Sequence, residues 1–489
     1  MEPLGTITQY FSFIKDETKE VLQDVMSKAE DYYDFVQRLG KLVLSNDSPI
    51  MVVYFAIHFS MIGLDYKLIG KIKEKYGHLQ LLCPNLFYSS VYQGTYEDAN
   101  KVHELTDAVL ATNPEDWIVL EMNLIKFEVN MRNYPTTMYP TALMDRIRKL
   151  IDSNPDFGFY EIVLCDFLSI RAQVDGDTEE RLRCIDRGIE IAEEYDDRLR
   201  KTHLLIRKGG IIMNFDRVQS RNALEEAYHL VESSLGIPAN YSDIIYLLSI
   251  LDAIGGEYDS AIELGLRAVN IRERAGLESG NASSFLSIYF NAIGEPESGL
   301  EWGLMAEDQF SGRPYLINHA RLFQAWSLIL LERHVEAEIL IDSIREEIMR
   351  SGNEDQLAWL HFVTGSLEML EGDLSLALSS IEQGLKVYEQ QRTAPLMENI
   401  FFLQLARIEI LSCSSGDVVS PSLALLEERA VSGELPGVLG QVLVLKADMA
   451  ILNNDETSLR EIIPQIRSLI EEKKLSFLKP FFERLERRL

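Results

Sequence analysis

Turn signals recur along this chain at a nearly constant interval, and that recurrence limits the fold more than any other feature. They fall at Gly94, Asn133, Gly176-Asp177, Asp216, Gly256-Glu257, Gly294-Glu295, Glu332, Gly372-Asp373, Gly416-Asp417 and Asn454-Asp455. The successive spacings are 39, 43, 40, 40, 38, 38, 40, 44 and 38 residues. Such a period, held over most of 489 residues, marks a stack of repeats, each burying its apolar face on its neighbours. Between turns, apolar residues return every three to four positions, as at Val363, Leu367 and Leu370 and at Leu376, Leu378, Ile381 and Leu385. No alternating β-branched run is long enough for a strand. Each unit therefore reads as two helices joined by a tight turn.

The clearest unit runs from Asp355 to Gln391. Gly365 lies midway along its first helix, Gly372-Asp373 makes the turn, and Ala377, Ile381 and Gly384 share a face of the second. A glycine inside a helix costs about 1 kcal/mol relative to alanine. Its recurrence at such places implies close approach of a neighbouring helix. Two helices this short cannot bury their apolar faces alone, whereas a stack of pairs can.

The repeats are expected over 81–489, with 462–489 as a C-terminal cap whose Arg484, Arg487 and Arg488 suit the negative end of the last helix. Residues 1–80 are helical without a clear period and read as an N-terminal cap or small helical domain. Ser48-Pro49 opens the most apolar run, Ile50 to Leu64. It falls short of the roughly 20 residues of a membrane helix and reads as a buried helix. The first residues lack the basic-then-apolar pattern of a signal peptide. No membrane association is expected, and the Asn-X-Ser matches at Asn46, Asn240 and Asn281 read as chance.

Charge narrows the partners. With 47 basic and 77 acidic residues the net charge is −30, which repels phosphate backbones and argues against direct nucleic-acid binding. Within residues 1–80, Lys67, Lys71, Lys73 and Lys75 form the only dense basic cluster, read as a solvated helix face in preference to a DNA-reading helix. The cysteines, Cys83, Cys165, Cys184 and Cys413, form no CxxC pair and read as buried free thiols in a reducing, cytoplasmic setting.

Ser249 and Gly365 in first helices, the turns Gly256-Glu257 and Gly372-Asp373, and Ala261 and Ala377 in second helices together resemble tetratricopeptide repeats. The units exceed the usual length of about 34 residues. Longer units of this style, with Leu403 to Leu411 and Ser422 to Glu427, are similar to the superhelical sensor domain of the maltose-regulon activator and related large transcription regulators. The resemblance implies an all-α, right-handed α-solenoid of about ten TPR-like αα-hairpins with helical caps. It implies that the superhelix binds an effector or a partner protein. The phosphate loop GxxxxGK[ST] of those regulators' ATPase switch is absent.

No catalytic constellation emerges. HExxH, GxSxG, a strand-borne GxGxxG and an EF-hand loop are all missing, and Asp175 to Glu180 reads as a repeat turn. The chain is expected not to be an enzyme and to need no cofactor or metal. In stacked αα-hairpins the first helices line the concave face. Aligning units on their turns puts Tyr246, Asn281, Asn291, His319, Trp326 and Trp359 at outward positions there. Aromatic rings supply contact area and amides bond a peptide backbone. A Trp at helical spacing nonetheless belongs to the core more often than to a ligand site. The expectation is a non-catalytic scaffold or adaptor that holds a protein or peptide segment in its groove. The alternatives are an effector-sensing part of a transcription regulator, with a small-molecule effector, and an enzyme with a scattered site. A homodimer is open.

Overall fold

The computed structural model describes residues 5–63, 65–76, 99–133, 141–174, 177–213, 215–310, 313–391, 395–412, 420–433 and 435–487. Among them every regular element is helical. The turns at Gly94 and Gly416, Cys83 and Cys413, and the 80/81 boundary lie outside the described residues.

The chain forms two compact units, Met1–Ile244 and Ile245–Leu489. The first holds α1 (Asp16–Ser27), α2 (Tyr32–Ser45), α3 (Ile50–Ile62), α4 (Tyr66–Tyr76), α5 (Ala99–Leu110), α6 (Asp116–Asn133), α7 (Thr141–Ser153), α8 (Tyr160–Val174), α9 (Thr178–Glu194), α10 (Arg198–Ile212) and α11 (Arg217–Leu230). The division falls inside α12 (Pro238–Ile254). The second unit continues with α13 (Tyr258–Ala275), α14 (Gly280–Ala292), α15 (Pro296–Gln309), α16 (Pro314–Leu330), α17 (His334–Ser351), α18 (Glu354–Glu371), α19 (Leu374–Gln391), α20 (Pro395–Ser412), α21 (Pro421–Ser432), α22 (Pro436–Leu452), α23 (Glu456–Glu472) and α24 (Lys479–Glu486).

The turns sit where the period placed them. Asp177 and Asp216 cap α9 and α11, accepting from Glu180 N and Gln219 N. The backbone turns left-handed at Gly256, Gly294 and Gly372, with φ of +73°, +82° and +90°. Glu332 and Asn454 adopt the same conformation at equivalent places, with φ of +58° and +52°. Within a hairpin the small residues do what their spacing implied. A Cβ on Gly365 would come within 2.8 Å of Ile381 Cγ1 and 2.9 Å of Ala377 O.

First helices of successive hairpins touch one another: α6, α8 and α10 in unit 1, and α14, α16, α18, α20 and α22 in unit 2. They form the inner layer, so they are buried on most sides. In α14, residues as different as Leu286, Ser287 and Asn291 are all buried. Second helices bury one stripe and leave apolar residues such as Val335 and Ile339 of α17 exposed. The apolar run of unit 1 is a buried helix, with every residue from Val52 to Met61 inside. Among the described residues no helix is long and apolar enough to cross a membrane. Cys165 and Cys184 are buried free thiols, and burial pushes the Cys165 thiol up to about 12.

Each unit also folds back on itself. In unit 1, Gln9 Nε2 donates to Tyr195 O, and Tyr10 reaches both His58 of α3 and Arg200 of α10. In unit 2 the last hairpins meet the first. Gly437 N donates to Gly255 O at 3.2 Å, and Asn399 Nδ2 to Ile254 O at 3.2 Å. Asp259 of α13 accepts from Ser476 N, Ser476 Oγ and Phe477 N, just before α24.

Candidate functional site

All six residues expected to line a groove lie in unit 2, and three of them are core. Trp326 and Trp359 are 6% and 2% exposed, with ring centroids 6.0 Å apart. Trp326 packs edge-on against Phe362, and Trp359 against Phe323. Asn291 is buried between α14 and α16, donating to Phe323 O and accepting from Ser327 Oγ. The expectation of outward positions fails for these three because neighbouring first helices cover the faces they point to. The other three keep surface. Asn281 is exposed, Tyr246 is half-buried against the edge of Phe285, and His319 is half-buried with Nε2 3.0 Å from Asp355 Oδ2.

Unit 1 instead holds a cleft of about 310 Å³. This is at the lower end of the range for small-ligand sites. It runs across the inner helices α6, α8 and α10 and is closed by α3 and the start of α12. The helical period puts its residues in line. Glu121, Leu124, Ile125 and Glu128 come from one face of α6, and Arg200, His203, Leu204 and Arg207 from one face of α10. Aliphatic side chains such as Leu124, Ile125, Val163 and Leu204 share the wall with about as many polar and charged groups.

Its floor is a buried hydrogen-bond chain. Asp197, fully buried, caps α10 and pairs with Arg200 Nη1 at 2.5 Å. Arg200 Nη2 donates to Tyr10 Oη at 3.0 Å. The Tyr10 hydroxyl is then free to donate to His58 Nε2, 2.8 Å away. This puts the imidazole proton on Nδ1, 3.9 Å from Glu121 Oε2. Tyr160 Oη donates to Glu121 Oε1 at 2.6 Å. Burial lowers the His58 imidazole below its usual range, against the pull of Glu121, so the ring is neutral near pH 7.

The opposite wall carries Arg207, whose Nη1 lies 2.7 Å from Asp166 Oδ1. His203 is also lowered by burial, with the Asp166 charge opposing. Beside it Asn240 is fully buried. The Asn240 side chain pairs with the His203 imidazole, but at a loose geometry that leaves both ends of the amide and His203 Nε2 short of full hydrogen bonds. Leaving a buried polar group short of partners costs free energy, so this pair keeps capacity for a further polar partner. Among the described residues, no three His, Cys, Asp or Glu side chains gather as a metal site would require.

Sequence reasoning passed over this cleft. A signal was present: Glu121 and Glu128 stand seven residues apart on the face of α6 that carries Leu124 and Ile125, and both are 5% exposed. The turn-based register alone gives no reason to prefer α6 to α16.

The helices define an all-α, TPR-like helical-repeat protein. No family model and no curated protein matches the chain. Among solved structures it is similar to the apo form of RapI, with TM-score 0.42 and 11% identity over 80% of this chain and 97% of that one. A Rap protein complexed with Competence and Sporulation Factor gives TM-score 0.48 and 12% identity over 74% and 99%. Yeast Tom70 gives TM-score 0.33 and 11% identity over 97% and 95%. The functional argument therefore rests on the cleft.

Proposed function

We propose that this chain is a non-catalytic binding scaffold that takes up a protein or peptide segment, with the unit-1 cleft as its recognition point. The observation that carries this reading is Asn240. Its fully buried amide meets the His203 imidazole only loosely and keeps donor and acceptor capacity complementary to another amide, of which the peptide group is the commonest. The aliphatic side chains of the wall would take the adjoining side chain. Tyr246, Asn281 and His319 keep exposed surface in unit 2 and are a separate candidate contact region. The small volume of the cleft favours a second reading, an effector-sensing component of a regulator whose ligand is a small molecule.

The test is affinity capture from a lysate of the source organism, read by mass spectrometry, with wild type, Asn240→Leu and a Tyr246→Ala/Asn281→Ala/His319→Ala triple variant. The expected result is a partner held by wild type and lost with Asn240→Leu at unchanged helicity; loss with the triple variant instead would put recognition in unit 2. A partner retained by Asn240→Leu would remove the cleft from the reading. Absence of any partner, together with a raised melting temperature from a metabolite extract, would favour the sensor.

A further inference from the structure

We infer that the unit-1 cleft selects a ligand carrying a primary ammonium group on an apolar stem. This rests on the reading of the cleft as the recognition point and names the chemistry it accepts. The lining residues include four carboxylates, Glu121, Glu128, Asp166 and Asp243, against two guanidiniums, Arg200 and Arg207. Both guanidiniums are committed. Arg207 is paired with Asp166, and Arg200 with Asp197, which is not part of the lining, and with Tyr10. The two imidazoles are neutral, so neither supplies a cation to Glu121.

Glu121 is the focus. Its side chain is 7% exposed, one oxygen accepts from Tyr160, and the other lies 3.9 Å from Nδ1 of the neutral His58 imidazole. A carboxylate offers about four acceptor sites, so Glu121 keeps capacity for a donor that an ammonium's three N–H groups would fill. Asn240, buried on the wall and only loosely bonded to His203, would receive the polar group next in the ligand. Leu124, Ile125, Val163 and Leu204 would cover the stem. An anion has no such place, because each guanidinium would first have to leave its carboxylate. The ammonium could be a peptide's amino terminus or lysine side chain, or a free amine.

The experiment is calorimetric titration of the full chain near neutral pH with defined probes. Leucyl-leucinamide and its N-acetyl form represent a peptide end, phenethylamine and its N-acetyl form a free amine, and 3-phenylpropionate an anion of similar shape. At least one ammonium probe should bind, with its acetylated form about tenfold or more weaker. Glu121→Gln, which keeps an acceptor for Tyr160, should cost the ammonium probe about tenfold and leave the acetylated one unchanged. Should that variant fail to fold, the half-buried Asp243→Asn should weaken the same probe in the same direction. Tighter binding of leucyl-leucinamide identifies a peptide end, and of phenethylamine a free amine. Equal or tighter binding of an acetylated probe or of 3-phenylpropionate overturns the inference, as does silence from both ammonium probes at millimolar concentration. If acetyl-leucyl-leucinamide binds as tightly as leucyl-leucinamide and Asn240→Leu abolishes both, the ammonium assignment falls while the peptide-binding reading stands.

Discussion

His58 and His203 show how single residues tie the cleft to pH. Burial lowers both, with Glu121 and Asp166 opposing, and the half-buried His103 and His361 move the same way. In the unfolded chain these rings take a proton at about 6.5. Below that value the unfolded state binds more protons than the native one, so stability rises with pH in this window. Urea denaturation should show full stability above about pH 7 and a decline as pH falls through about 6.5 towards about 5.5. His203→Gln should flatten that decline. An unchanged pH profile in the variant would show that His203 is not held neutral. The same residue scale explains the three misplaced site residues. Trp326, Trp359 and Asn291 have the spacing and chemistry of ligand-facing positions, and the side chains around them were not visible in a one-dimensional register.

At the level of elements, the hairpin is the unit whose form was legible. Caps such as Asp177, Asp216 and Asp455, and left-handed turns at Gly256, Gly294 and Gly372, are local devices with local signals. Closure of unit 2 is not local. Gly437, at the start of α22, lies against Gly256, after α12, and a Cβ on Gly437 would come within 1.9 Å of Gly256 O and 2.1 Å of its carbonyl carbon. Backbone cannot move aside as a side-chain tip can, so Gly437→Ala must separate the two segments and weaken the Gly437 N–H to Gly255 O bond. The expected cost is roughly 2–4 kcal/mol in chemical denaturation, with faster hydrogen exchange around Gly255 and Gly437. A variant as stable as wild type would mean that this contact does not close the unit in solution.

For the molecule as a whole, the net charge of −30 sets a field that favours cations and repels polyanions. The basic cluster in α4 does not offset it. Lys75, its last member, spends its ammonium on the carbonyls of Val43, Leu44 and Asn46, where it caps the end of α2. Duplex DNA should therefore show no retention at physiological salt in a mobility-shift assay, and micromolar binding there would contradict this account. Sequence alone determined the helical class, the period near 40 residues and the hairpin turns, because apolar spacing, caps and left-handed glycines act within one or two helical turns of chain. Tertiary structure alone decided the division near residue 244, the return of each unit onto itself and the gathering of Glu121, Tyr160, Arg200, His203 and Asn240 around one cleft. Those outcomes depend on which faces of distant helices meet, and small rotations accumulated over many hairpins set that meeting.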